Sequence, residues 1–391
     1  MMKKKRLLYI NKQYRDYDYL KYNTLANNFA LTVIWICPFR ESEPLPEILK
    51  AKIKYRILNF MGSRLKPRHL TSNLKLFGMV LAIGRKADII ISSTSDAWHS
   101  KIAFLANLWL RKPIAFRKEV WLNSSGKKRR VVESLTAFIE KKAKAVFYGG
   151  SMQKKILLEN HLKPERLFPF PYLIQDLKTR RVDDEKVSNF LVSHRDKVKF
   201  LFLGRIIPRK GLDNLIRSFL RLSKEYQDAL LLVVGGPDQR EFSGENSENY
   251  YQQCRKYAQN DRIVFLDKAS SHEIHNYYQC ADVFVHPHKK FLNGRKATYE
   301  GWGNVVIEAA SMGLALIVSD RVSSGFDLIK NYENGFIINS DCLEENLYRA
   351  MKFFLDNKEK IKIFGAKSRE IYEKINRPEI IVESISSAIN K

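Results

Sequence analysis

Short continuous apolar runs, separated by stretches of helical spacing, recur in two series along the 391-residue chain, and this alternation is what most restricts its fold. In the first half the runs are Leu7–Ile10, Leu31–Cys37, Ala87–Ser92, Pro113–Phe116 and Ala143–Tyr148, with helix-like spacers such as Lys101–Leu110 and Val131–Lys142. Strands that are apolar on both faces and linked through helices belong to a parallel sheet covered on both sides. A second series begins at Val198–Leu203 and continues through Leu230–Val234, Arg262–Leu266, Val283–His286 and Ala315–Ser319. Helices are expected there over Leu212–Leu222, His272–Tyr278 and Val305–Met312, and from Glu344 to Asn390 with a break at Pro378. Residues 176–197 are charged and aperiodic, and read as a linker. The predicted fold class is therefore α/β, with two Rossmann-like domains in tandem over residues 1–190 and 197–375. Such sheets bind ligands in a cleft beyond the C-terminal ends of their strands.

The charge is divided unevenly between the halves. The formal net charge is +26, with 38 basic against 16 acidic residues through residue 190 and 30 against 26 beyond it. An N-terminal half of that sign suits an anionic partner, whether nucleic acid, a phospholipid surface or a phosphorylated substrate; compositional drift toward lysine is the alternative. Between Leu45 and Lys75 there are eight basic residues and one acidic one, with Leu45, Ile48, Leu49, Ile53, Ile57 and Phe60 near helical spacing. A basic amphipathic segment of this kind could lie on an anionic bilayer, or could pack its apolar face on the sheet as an ordinary helix. The run Lys127–Arg130 adds to the same basic half.

Other classes find little support. Cys37, Cys254, Cys280 and Cys342 are far apart and form no CxxC pair, which argues against a disulfide framework or a zinc knuckle. No run of about 18 apolar residues is present. Met1–Tyr9 places four basic residues before too few apolar ones for a secretory signal, so a cytoplasmic location is expected. A basic nucleic-acid-binding protein remains an alternative from the charge and the 12% aromatic content, but no helix-turn-helix, zinc or RNA-binding signature accompanies them.

Chemistry is concentrated in two stretches. In Glu300–Asp320, EGWGNVVIEAASMGLALIVSD, Gly301 and Gly303 form a tight loop running into a helix, and the free amides at that helix start, near Gly303, Asn304 and Val305, can hold a phosphate. Glu308 follows Glu300 by eight residues, so a loop carboxylate and a helix carboxylate can point into one pocket and accept hydrogen bonds from sugar hydroxyls. In Phe202–Gly211, FLGRIIPRKG, Arg205 leaves a strand end beside Gly204 and Lys210 precedes the next helix. A forked guanidinium and a point-like ammonium suit a diphosphate whose charge grows as it departs. Arg209 reads as a solvated surface cation.

Combined over residues 197–340, these stretches, with LLLVVGGPD, RIVFLD and YYQCADVFVHP, resemble the family-4 retaining glycosyltransferases. The resemblance implies the two-Rossmann-domain GT-B fold, with a terminal helix over 376–391 packing back on the first domain. It implies that Gly204, Arg205 and Lys210 bind the diphosphate of a nucleotide sugar, that Glu300 contacts the donor sugar and that Glu308 holds the ribose. Gly301, Gly303, Asn304 and Val305 would assist, and Val264 and Phe265 would lie where the base is cradled. Basic side chains and a helix terminus would replace a metal, so neither metal nor cofactor is expected. In the first domain, Glu119 and His99 are the candidates for facing the reacting centre. The family's glycine-rich loop after the first strand is missing, since Asn11–Asn23 contains no glycine. The implied function is transfer of a hexosyl unit to a glycan or lipid-linked glycan in surface polysaccharide or lipopolysaccharide assembly, with peripheral contact to an anionic membrane. A nucleotide-sugar epimerase of the same fold is the alternative.

Overall fold

A computed structural model of the chain describes residues 4–39, 44–61, 65–119, 127–179, 190, 193–238, 247–266, 268–270, 273–290, 292–293, 296–297 and 299–390, with backbone alone at 127–132, 292–293 and 296–297. Most of the 176–197 linker, Trp121, Asp267, His272 and the side chains of the 127–130 basic run lie outside the described residues. The chain divides into two compact units, one of Met1–Gln175 with Asn376–Lys391, the other of Asp176–Ile375.

In the first unit seven strands form one parallel sheet: β1 (Arg6–Asn11), β2 (Ala30–Trp35), β3 (Lys54–Ile57), β4 (Ile89–Ser92), β5 (Ile114–Lys118), β6 (Ala145–Tyr148) and β7 (Leu167–Pro169), in the order β3-β2-β1-β4-β5-β6-β7. Leu7 of β1 pairs with Leu31 on one side and Ile89 on the other, so the apolar runs become central strands buried on both faces. Helices α1 (Tyr19–Asn28) and α2 (Glu47–Lys52) cover one face. The other face carries α3 (Leu70–Gly84), α4 (Trp98–Leu110), α5 (Lys127–Lys142) and α6 (Ser151–Glu159).

The segment from Leu45 onward departs from the helical expectation. Helix stops at Lys52, and Ile53 leads into β3, whose Lys54, Tyr55, Arg56 and Ile57 alternate between exposed and half-buried as an edge strand on β2. Apolar residues at 49, 53 and 57 fit a helix, but residues 53, 55 and 57 fit a strand equally well. The free edge of β2 decides between them.

The second unit holds β8 (Val198–Leu203), α7 (Leu212–Glu225), β9 (Ala229–Val234), α8 (Ser247–Tyr257), β10 (Ile263–Leu266), α9 (Ile274–Gln279), β11 (Val283–His286), a short antiparallel pair β12 (Leu292–Asn293) and β13 (Lys296–Ala297), α10 (Asn304–Ser311), β14 (Ala315–Ser319), α11 (Gly325–Leu328), β15 (Gly335–Ile338), α12 (Leu343–Asp356) and α13 (Lys358–Ile375). Its six-stranded parallel sheet runs β10-β9-β8-β11-β14-β15. Phe200, Phe202, Leu231, Val233, Val283 and Ile317 form its buried centre.

The terminal helix α14 (Pro378–Asn390) belongs to the first unit, packing against α1 and β7 and burying Ile381, Ile385 and Ala388 in that unit's core. Pro378 sits at its first position, where a missing N–H costs nothing. Just before it, Asn376 exchanges two hydrogen bonds with the backbone of Ile174, at 2.9 and 3.0 Å.

Candidate functional site

Both sheets place their first strand internally, so the chain departs from it to opposite sides and leaves a crevice at the C-terminal ends of two adjacent strands. In the second unit these strands are β8 and β11. Beyond β8 come Gly204, Arg205 and Lys210; beyond β11 come Pro287 and His288; and the loop before α10 brings Glu300 to the same place.

The turn out of β8 depends on Gly211. Its φ of 71° is left-handed, and a Cβ there would lie 2.0 Å from the carbonyl oxygen of Pro287. Only glycine lets the loop pass so close to β11 while starting α7. Lys289 ties the two loops further, donating its backbone N–H to the Arg209 carbonyl at 2.9 Å and its ammonium to both Asp213 oxygens at 3.0 Å.

That turn buries Lys210, whose Nζ donates to Glu300 Oε2 at 2.5 Å. Burial opposes ionisation of Glu300, yet the Lys210 ammonium holds its carboxyl well below the usual carboxylate range. His288 Nε2 lies 3.9 Å from the same Glu300 oxygen. Burial, reinforced by the Lys210 charge, pushes His288 down to about 3, and the same causes push His286 well below its ordinary value. Both rings are thus neutral near pH 7. His286 is fully enclosed, stacked on Phe284 at 6.1 Å, and neither of its ring nitrogens has a hydrogen-bond partner.

Arg205 is half-exposed and donates to Asp238 Oδ2 at 2.6 Å. Arg205 and Asp238 line a pocket of about 200 Å³ with Gly204, Gly236, Lys268 and Ala269. Val264 and Phe265 do not line it: the pocket takes up the chain three residues later, and Phe265 is engaged by Tyr251 and by the Arg255 guanidinium, 5.4 Å from its ring.

Helix α10 starts at the other side of the site. Gly303 caps it with φ 93° and, having no side chain, makes no capping hydrogen bond to the first amides of the helix, which include those of Asn304 and Val305. The Glu300 side chain approaches this start, its Cγ 3.4 Å from the place of a Gly303 Cβ. Gly301 is half-buried in the same loop. One turn into the helix, the Glu308 carboxylate accepts a 2.8 Å hydrogen bond from the hydroxyl of buried Tyr278, which also donates to the Val305 carbonyl at 3.1 Å.

In the first unit the corresponding crevice lies between β1 and β4. Ser93 donates to the Asn11 side chain at 2.6 Å, and Thr94, at φ 57°, donates to Glu119 Oε2 at 2.8 Å. Glu119 also accepts from Arg117 at 3.3 Å and remains about one-third exposed. His99 is buried, 2.9 Å from the Ser93 carbonyl, and burial pushes it down to about 4. His99 is thus closed off from solvent, whereas Glu119 is open to it.

Of the expected residues, Lys210, Glu300, Gly301, Gly303, Asn304 and Val305 gather around the α10 start, Gly204 and Arg205 line the neighbouring pocket, and Glu308 is held separately by Tyr278. Arg209 is a correction: it is half-buried, with a buried Nε that has no partner, and its charge reaches both Lys210 and His288. His286, His288, Asp238 and Tyr278 escaped the sequence reading, although the first two and Tyr278 stand in the motif YYQCADVFVHPH. Among the described residues no group of three or more His, Cys, Asp or Glu could hold a metal ion.

Residues 183–371 match the family Glycosyl transferases group 1. That match spans nearly the whole of the second unit. Among curated relatives, an uncharacterized glycosyltransferase of Methanocaldococcus jannaschii is 23% identical over 243 residues, 61% of this chain and 56% of that one. The capsular polysaccharide biosynthesis glycosyltransferase CapM of Staphylococcus aureus is 28% identical over 189 residues, 48% of this chain and 45% of CapM. The chain spans about half the length of the curated relatives it matches. Among solved structures, that of Anabaena HepE in complex with UDP aligns over 98% of this chain and 99% of its own, with a TM-score of 0.73 and 13% identity. The likeness establishes the GT-B architecture of two Rossmann-like units for this chain.

Proposed function

We propose that the protein is a retaining, metal-independent glycosyltransferase that moves a hexosyl unit from a nucleotide diphosphate sugar to a glycan or lipid-linked glycan. The observation that carries this is the junction of Lys210, Glu300 and the uncapped start of α10 at the crevice of the second unit. Lys210 and the α10 amides would receive the negative charge that builds on the departing diphosphate, with Arg205 forking onto its oxygens from the adjacent pocket. Glu300, kept ionised by Lys210, would accept hydrogen bonds from donor-sugar hydroxyls. Glu308, oriented by Tyr278, would accept them from the ribose. Asp238 would orient Arg205.

The first unit would hold the acceptor, with Glu119 as the group at its crevice and His99 fixing the Ser93 loop. UDP in HepE supports a nucleotide-sugar donor, and the capsular role of CapM supports a part in surface polysaccharide assembly, which would take place at the cytoplasmic face of a membrane. The basic first unit would touch that membrane peripherally, since no described helix is long and apolar enough to cross one.

The test is a thermal-shift panel of UDP, GDP and ADP sugars, followed by product analysis with and without a glycan acceptor. Stabilisation by one donor, and a product of retained anomeric configuration formed in excess EDTA, are expected. Conversion of the donor with no acceptor would point to an epimerase instead.

A further inference from the structure

Helices α3 and α4 are nearly uncharged: over 28 residues together their only charged side chains are Lys75 and Lys101. A helix that is apolar all round is normally enclosed. Here one side of each is in the core beneath the sheet face, through Leu76, Val80, Ile102 and Ala106. Lys101 is itself turned inward, donating to the Ser95 carbonyl at 2.6 Å and Thr136 Oγ1 at 2.7 Å. The outer side is open, with Trp109 80% exposed, Leu70 65% and Leu108 57%. The adjacent α5 adds Phe138 and Leu135, also exposed. Of the fifteen exposed large hydrophobic side chains among the described residues, seven stand on these three neighbouring helices. Scattered single exposures are ordinary, but a concentration of this kind on one layer marks a contact surface.

The charges around it indicate what is contacted. Beside Leu108 and Phe138 runs an open groove of about 930 Å³ lined by Arg111, Lys112, Lys142, Lys144 and Arg166, with Glu165 as the single acid. The Lys142 ammonium lies over the Phe138 ring, 5.9 Å from its centre, so cation and apolar surface meet there. We propose that the outer face of α3–α5 is a docking surface for an anionic lipid bilayer, Trp109, Leu105, Leu108 and Phe138 entering the headgroup boundary while the groove cations meet lipid phosphates. This deepens the membrane contact proposed above by choosing its surface: of the basic 45–75 segment only the part on α3 belongs to it, since Lys54–Ile57 form a paired edge strand and Ile48 stands on α2, which covers the opposite face of the sheet.

Co-sedimentation of the full chain with vesicles of phosphatidylcholine plus phosphatidylglycerol, and of phosphatidylcholine alone, tests this. Binding to the mixed vesicles should be stronger by about tenfold or more and should fall as salt rises. Leu108→Ser with Trp109→Ser should weaken it about tenfold at unchanged Tm, while Ile48→Ser should leave it intact. Brominated phosphatidylglycerol should quench tryptophan fluorescence, and Trp109→Phe should remove most of that quenching. Equal binding to both vesicle types, loss of binding in Ile48→Ser alone, or a dimer dissolved by the double substitution in a protein that ignores vesicles would each overturn the proposal. The glycosyltransferase reading stands or falls separately: thermal shift by nucleotide sugars should persist in the double variant, and its absence from a chain that still docks would remove that reading alone.

Discussion

The ammonium of Lys210 donates to Glu300 at 2.5 Å across 90 residues of sequence, closing the loop after β8 onto the loop before α10. Lys210 is buried and Glu300 about one-quarter exposed, so deleting one member removes the nearest opposite charge from the other. Lys210→Met should destabilise the second unit by about 3–5 kcal/mol, and Lys210→Met with Glu300→Gln by less than the sum of the two alone. Urea unfolding at neutral pH measures both.

The same pair sets an acid dependence. Glu300 titrates below its ordinary 4.5 when folded, so the stabilisation it provides is complete above that pH and is lost as pH falls toward the folded value. The stability difference between the parent and Glu300→Gln should be constant from about pH 5 to 8 and shrink below about pH 4.5. A difference that instead grew on acidification would contradict the ionised assignment.

Two glycines of the β8 loop should respond differently to alanine. At Gly211 the left-handed backbone strain, about 1–2 kcal/mol, adds to a collision with the Pro287 carbonyl. At Gly204 a Cβ meets nothing within 4 Å, and only the strain of φ 152° is felt. Gly211→Ala should therefore lower Tm clearly more than Gly204→Ala in a thermal scan.

Arg205 bonds to Asp238 within the pocket, with its guanidinium about one-third exposed. Arg205→Ala should raise the Kd of the cognate nucleoside diphosphate about 10- to 100-fold with little change in Tm. Calorimetric titration checks this, and unchanged affinity would remove Arg205 from the diphosphate site.

Tyr278 supplies a hydrogen bond to the Glu308 carboxylate. Tyr278→Phe removes that donor without opening a cavity, at a cost of about 1–2 kcal/mol. In the assigned role the KM for the donor should rise while kcat changes little, whereas Glu308→Ala should abolish turnover in a folded protein. Steady-state kinetics on both variants separates ribose binding from a purely structural contact.

Much of the architecture could be read along the chain because its signals are local. Runs such as Leu230–Val234 are apolar on consecutive residues and bounded by Gly235 and Gly236, which suits a central parallel strand and little else. The switch from helix to strand at Ile53 could not be read this way, since the apolar spacing satisfies both periods until β2 provides an edge. Arg209 reads as a surface cation in sequence because burial is a property of what packs above a residue. The uncovered faces of α3 and α4 were equally invisible, an apolar helix in sequence carrying no mark of which side remains open.

The order of residues alone determined that the chain would wind into two parallel sheets, that its positive charge would collect in the first half, and that glycine-flanked cations and acids would stand at strand and helix ends. Strand order decided the rest. Only when β8 and β11 lie side by side do Lys210, His286, His288 and Glu300 come into one electrostatic environment, because a parallel sheet aligns the C-terminal ends of strands that the sequence keeps some 80 residues apart.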